Sequence, residues 1–378
     1  MGKWEMVKLG DVFPYVRNGA SIKQEDNATG FPITRIETIA DGSIDRSRMG
    51  YANINEIERY SDFVLETGDI LMSHINSVKH LGKTALYLKK EDESIIHGMN
   101  LLNLRANPDV LSSIYAHRFF NSYYFKKQLP NITKNSVNQS SFNITALKEL
   151  KIPLPPLEVQ QKIANVLDRA SALIEKRKAQ IDKLDLLVKS QFIEIFGDPV
   201  TNPKGWDKDL WPSIFNAATG KIDSNAMVDN GKYPFFTCAK EAFWIDKYAF
   251  DCEALILAGN NAAGIYDVKH YAGKFNAYQR TYVLTLMDEK NQYCVFKIQL
   301  ESKLEQLRHS SKGTNTKYLT MGILNNLEFI IPPSLLQTRF ADFVQQVEAQ
   351  KSLLQQSLAK LECNHKSLMQ KCFAGEVF

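Results

Sequence analysis

The sequence predicts an α+β fold: two mixed globular blocks separated by an antiparallel two-helix coiled coil, with a pseudo-twofold internal repeat. Three observations predict it. Residues 152–196 recur without a gap at 329–373, a constant 177 positions later, so that Pro155, Pro156, Gln160, Ala164 and Phe196 fall on Pro332, Pro333, Gln337, Ala341 and Phe373. Each copy carries a 3-4 apolar alternation over about five heptads, which marks a coiled-coil seam rather than a general core face. Each copy follows a strand-rich block, and the two blocks align without gaps only near their ends. The scaffold is shared and the globular faces differ.

The first block, 1–150, opens with the amphipathic segment WEMVKLGDVF and a turn at Asn18 and Gly19. GDILMSHI (68–75), KTALYL (83–88) and IIHGMNLLNLR (95–105) read as strands, 110–128 as a helix and ITKNSVNQSS (132–141) as a polar loop. The central helix, within 151–197, has the seam Ile163, Leu167, Ile174, Ile181, Leu184 and Val188, interrupted by Arg177 and Gln191. Its Pro-Pro start suits a position where a missing N–H costs nothing. Gly197 and Pro199 stop it, and TNPKGW (201–206) is a turn-rich linker. The second block, 198–328, repeats the first in outline. Leu210 stands for Leu9, Gly220 for Gly19, EALILAG (253–259) for the run from Asp69, and TYVLTL for MNLLNL. A helix at 294–308 and the loop SSKGTNTKYLTMGIL follow, the latter matching TKNSVNQSSFNITAL. The distal helix, within 329–378, has the seam Phe340, Val344, Val347, Leu354, Leu358 and Leu361, interrupted by Lys351 and His365. Two such helices in one chain pair most simply antiparallel, with one block at each end. Their polar seam residues either set register or mark seam ends that tolerate polarity.

Composition is that of a globular protein, 44% hydrophobic and 23% charged. No run is long and apolar enough to span a membrane, and the N-terminus has no signal-peptide core. Five cysteines without C-x-x-C spacing read as free thiols of a cytoplasmic protein. The net charge of +4 does not mark a nucleic-acid binder by itself. The distribution says more: between Asp109 and Glu149 lie Arg118, Lys126, Lys127, Lys134 and Lys148 and no acid, a local basic strip of the kind that meets phosphates.

Catalytic signatures are missing. SVKHLGKT (77–84) resembles a phosphate loop but has Ser77 where the first glycine belongs. No cofactor fingerprint, amino-methyltransferase tetrapeptide or metal-ligand spacing is present.

With these features in place, the chain resembles the specificity (S) subunit of Type I restriction–modification systems. The resemblance is carried by IPLPPLEVQQKIANVLD and IIPPSLLQTRFADFV, GDILMS, the NPKGW after FGDP, and the terminal MQKCFAGEVF. It covers essentially the whole chain, and it departs from the usual pattern at Thr338, Arg339 and Phe340. It implies two target recognition domains that each read half of a bipartite, asymmetric site in double-stranded DNA. It also implies a coiled coil that spaces them and docks two methyltransferase subunits, restriction/translocation subunits in the full complex, no active site, no cofactor and no metal. Amides, lysines and hydroxyls in polar loops are the groups that read bases and hold phosphates. The candidate DNA-binding residues are His74, Asn76, Lys79, Lys134, Asn135, Asn138 and Gln139 in the first block. In the second they are Asn260, Asn261, Tyr278, Gln279, Arg280, Lys312, Thr314, Asn315 and Lys317. Two other readings stay open: a specificity subunit of a bifunctional restriction enzyme, and a coiled-coil scaffold that binds only protein.

Overall fold

The computed structural model of the protein describes residues 4–25, 30–40, 42–54, 56–90, 92–136, 139–262 and 264–378. The chain divides into two compact units: Met1–Arg177 with Ser357–Phe378, and Lys178–Gln356. Both contain helices and sheets.

Unit 1 is built on a four-stranded antiparallel sheet in the order Tyr15–Asn18, Leu101–Arg105, Ile70–Ser73, Thr84–Leu86. Strand Ile70–Ser73 is buried along its whole length, which is why its sequence is a continuous apolar run rather than an alternation. The acid before it is part of the same design. Asp69 is fully buried and accepts from Asn103 Nδ2 at 2.8 Å, Arg105 Nε at 2.7 Å, Arg105 Nη2 at 2.9 Å and the Glu66 amide at 2.9 Å. A buried carboxylate is tolerable only when paired and hydrogen-bonded in this way. The expected helix over 110–128 is two helices, Ser113–Phe120 and Tyr123–Gln128. The Asn121 amide turns back onto the His117 carbonyl at 2.9 Å, and the Ser122 hydroxyl caps the next helix at the Phe125 amide. The aromatic core here is Phe119, Phe120 and Phe125, and Phe373 of the distal helix stacks into it at 5.3 Å from Tyr115 and 5.5 Å from Phe119.

Unit 2 has a six-stranded sheet in the order Phe215–Thr219, Thr281–Leu286, Phe250–Ala258, Val268–Ala277, Tyr233–Phe236, Phe243–Ile245. Its first four strands follow the strand order of unit 1, and the long hairpin 250–277 replaces a short one. The expected helix over 294–308 is again two, Tyr293–Ser302 and Leu304–Ser310, broken at Lys303.

Strand register corrects one equivalence. Met6 pairs with Pro153 and Lys208 with Ile330, so Leu9 corresponds to Trp211, not to Leu210. Burial agrees: Leu9 and Trp211 are core residues and Leu210 is exposed.

The central helix runs Leu157–Phe196 and the distal helix Ser334–Ala374. Both start the same way. Gln160 is buried, accepts from the Ser112 amide at 2.8 Å, and donates to the Val110 and Pro155 carbonyls at 2.8 Å each. Gln337 accepts from the Gln292 amide at 3.0 Å and donates to Asn291 Oδ1 at 3.1 Å and the Pro332 carbonyl at 2.9 Å. Both also end alike. Gly197 and Gly375 are left-handed, the C-terminal stop that glycine permits. Trp206 Nε1 donates to the Phe196 carbonyl at 2.8 Å and Trp4 Nε1 to the Cys372 carbonyl at 3.3 Å. The NPKGW segment is thus a helix cap rather than a bare linker: Lys204 also donates to the Glu194 and Ile195 carbonyls at 2.7 Å each.

Ile163, Leu167, Ile174, Phe340 and Val347 are buried; Ile181, Leu184, Val188, Val344, Leu354, Leu358 and Leu361 are half-buried. Within unit 1, His365 Nε2 lies 3.2 Å from Ser171 Oγ. Within unit 2, Lys351 pairs with Asp185, and Phe340 packs on Phe192 and Phe196 at 5.7 and 5.5 Å.

Candidate nucleic-acid interface

In each unit, the buried strand ends by breaking and continuing as a two-residue strand at the edge. In unit 1 that extension is Ile75–Asn76. It pairs with Ser140–Ser141, which pairs with Lys134–Asn135, making a small three-stranded patch. In unit 2 the extension is Asn260–Asn261, paired with Lys317–Tyr318, and Lys312 bridges to Tyr318 through amide–carbonyl bonds of 3.1 and 2.8 Å. Asn76 opposes Ser140, and Asn261 opposes Lys317. The two patches are therefore built on one plan with different side chains.

The structure brings together most of the residues chosen in unit 1. Asn76 donates to Ser73 Oγ at 3.3 Å and accepts from the Ser77 amide at 2.8 Å. Asn135 Oδ1 accepts from Ser140 Oγ at 2.8 Å. Lys134, Asn135 and Gln139 are exposed, and the Gln139 carbonyl accepts from both the amide and the hydroxyl of Ser136, closing the turn. Asn138 lies outside the described residues. Lys79 is exposed on the 3-10 turn Val78–His80. His74 is the exception among these positions. It is buried edge-on against Phe142, with Nδ1 unpartnered among the described residues, and burial lowers its pKa. It supports the patch from beneath rather than facing outward.

In unit 2, Lys312, Thr314 and Asn315 are exposed on the loop that Gly313 turns at φ +98°, and Lys317 is half-buried at its base. A Cβ on Gly313 would meet the Thr316 carbonyl at 2.1 Å, so this turn requires glycine. Gln279 and Arg280 are exposed on the connection to strand Thr281–Leu286, and Tyr278 is half-buried. The connection is held to the patch from below: the Gly259 amide donates to the Arg280 carbonyl at 2.9 Å, and Cys238 Sγ donates to Asn260 Oδ1 at 2.6 Å. The sequence reading missed Ser140, Ser141, Tyr318 and Cys238. The first three carried a signal, because the constant spacing of 177 places Ser140 on Lys317 and Ser141 on Tyr318.

No group of three or more His, Cys, Asp or Glu side chains is placed to hold a metal among the described residues. No helix of the described residues is long and apolar enough to cross a membrane. The class these features define is an α+β protein with two long helices and two sheet-built units, each with a polar edge patch. More particularly, the chain belongs to the Type I restriction modification DNA specificity domain family, whose model matches residues 1–184 and 203–363. It is 42% identical over 205 residues to a protein of Methanocaldococcus jannaschii named as the MjaX type I restriction enzyme specificity subunit. That match covers 54% of this chain and 48% of the relative. It is 32% identical over 179 residues to the type I restriction enzyme EcoDI specificity subunit of Escherichia coli, covering 46% of this chain and 39% of the relative. The chain thus spans about half the length of the first of these relatives and two-fifths of the second. In fold it is similar to the S subunit of a Type-I restriction-modification system from M. genitalium, with TM-score 0.57 at 15% identity, covering 98% of this chain and 96% of that one.

Proposed function

We propose that this chain is the non-catalytic DNA-specificity subunit of a Type I restriction–modification complex. Residues 1–150 and 198–328 are its target recognition domains. Each reads one half of a bipartite, asymmetric site in double-stranded DNA. The two long helices form a coiled coil that sets the gap between the half-sites and docks two methyltransferase subunits, with restriction and translocation subunits joining in the full cytoplasmic complex. The observation that carries this reading is the pair of edge patches. They share one backbone plan, and they differ in the side chains that could touch a base or a phosphate, as expected of two readers with different targets.

The exposed amides and lysines suit the two tasks of such a surface. Asn and Gln can bond the paired donor and acceptor of adenine in the major groove, while Lys meets guanine or a phosphate. The hydroxyls of Ser140, Ser141 and Thr314 can serve backbone oxygens.

The test replaces Lys312, Thr314 and Asn315 together with alanine and sequences the modified sites of the reconstituted complex. Recognition is expected to relax in one half-site and stay intact in the other, with a cost of about 1–3 kcal/mol at each affected base pair. Equal weakening across both halves refutes base reading by this loop.

A further inference from the structure

Beside the patch of unit 1 lies a cavity of about 670 Å³. One wall is the stretch 78–84, the segment that falls short of a phosphate loop in sequence. The other walls come from the Lys126–Pro130 helix end and Asn135. The backbone shows why this is no phosphate loop. The His80, Leu81 and Gly82 amides already donate to the Ser77, Ser77 and Ser73 carbonyls at 2.9, 3.1 and 2.8 Å, so they form no nest of free N–H groups.

The side chains supply what the backbone does not. Lys79, Lys83 and Lys126 line the cavity, and no carboxylate is among its described lining residues; Asp41 lies outside the described residues. Lys83 is committed, its Nζ donating to the Ala40 carbonyl at 2.5 Å. Lys79 and Lys126 are exposed, and neither pairs with a carboxylate among the described residues. Asn135 spends its oxygen on Ser140 Oγ, which leaves its amide N–H groups as donors. Val78, Leu129 and Pro130 make an apolar wall. Two ammonium groups and an amide next to an apolar surface match a phosphate that carries a sugar.

We propose that this cavity is a phosphate-ester site, with the phosphate held by Lys79 and Lys126 and the sugar against Val78, Leu129 and Pro130. Two sources share this chemistry: the backbone of a duplex lying on the adjoining patch, which rests on the function proposed above, and a free mononucleotide, which does not.

The experiment uses the full chain, its Lys79→Ala and Lys126→Ala variants and the double variant, with Lys89→Ala as a surface control outside the cavity. One arm measures binding of a labelled random-sequence duplex across a salt series. The other titrates adenosine monophosphate by calorimetry. For a backbone phosphate, each variant weakens binding alike for all sequences and lowers the slope of log K against log salt by about 1, and Lys89→Ala leaves it unchanged. For a free mononucleotide, the wild type binds adenosine monophosphate, the double variant does not, and the duplex slope is unaffected. No mononucleotide binding together with a duplex slope that matches the control overturns the proposal. If neither the wild-type chain nor the reconstituted complex that carries it binds duplex, the DNA-reading function fails, and the mononucleotide arm alone decides the cavity.

Discussion

Replacing Gln160 with leucine removes a side chain of similar size and all three of its hydrogen bonds. The Ser112 amide and the Val110 and Pro155 carbonyls each lie 2.8 Å from it, and Gln160 itself is fully buried. A buried backbone group left without a partner costs about 1–3 kcal/mol. Only the Pro155 carbonyl is left fully buried, while the part-buried Ser112 and Val110 groups recover some hydration, which gives a loss of roughly 2–4 kcal/mol against the ~5–15 kcal/mol that stabilises a domain. A single melting midpoint would blur this, because the chain has two units and need not unfold in one step. Native-state hydrogen exchange resolves it: amides of the Ser113–Phe120 helix should lose protection while those of Tyr293–Ser302 keep theirs. Gln161→Leu is the control. That side chain is exposed and, among the described residues, bonds only to Asn165 at 2.9 Å, so its loss should stay within about 0.5 kcal/mol. A loss for Gln160→Leu below about 1 kcal/mol, or one spread equally over both units, refutes the view that this residue fastens the helix start to its own unit.

Three further outcomes are expected. Burial holds His97 and His117 at about 4 and pushes His74 and His365 down as well, and all four lie in unit 1. In the folded chain His97 and His117 stay neutral well below pH 6.5, where an unfolded histidine takes its proton. Unit 1 therefore loses up to about 1.4 kcal/mol per pH unit for each of His97 and His117 as pH falls from about 6.5 toward 4, and His74 and His365 act in the same direction; exchange measured at stepped pH should show unit 1 opening before unit 2, and simultaneous opening contradicts this. A heptad inserted after Leu184 and another after Leu361 keep the seam in phase and add about 10.5 Å of helix; sequencing of modified sites should show unchanged half-sites and a gap longer by about three base pairs, and modification at the original gap refutes the helices as the spacer. Lys351→Ala, which breaks the exposed pair with Asp185, should cost no more than about 1 kcal/mol and less at high salt, as denaturation of the variant at two ionic strengths would show.

The helices were legible because a period of 3.5 held over forty residues leaves no competing reading, and because the repeat is free of gaps. The breaks at Asn121–Ser122 and Lys303 were not. The first depends on side chains that bond back to the backbone, the second on a backbone turn at Lys303 without a side-chain cap, and the apolar spacing continues across both. The slip between Leu9 and Leu210 has a similar origin. Trp211 fills the buried place of Leu9, and hydrophobic pattern alone let the neighbouring leucine match instead. Trp4 and Trp206, each preceding a strand and capping the end of a long helix, would have fixed that register. The polar loops were recognisable as sets, but their pairing was not, because strands of two residues such as Ile75–Asn76 are too short to show alternation. His74 went to the wrong side for the same reason: only the pairing shows that the chain turns it under Phe142.

Unit 1 is discontinuous in sequence, and this imposes an order on synthesis. Its aromatic face, Tyr115 and Phe119 with Ile163 and Leu167, is complete when the ribosome has made residue 177, but Cys372 and Phe373, which join that core, come only after all of unit 2. At about 5–20 residues per second, the intervening stretch takes roughly ten to forty seconds. For that interval unit 1 lacks a wall while the contiguous unit 2 segment is still being completed. The closing contact is translated only after unit 2, so a nascent chain truncated before Phe373 presents an uncovered aromatic surface, the kind of surface that chaperones and proteases act on.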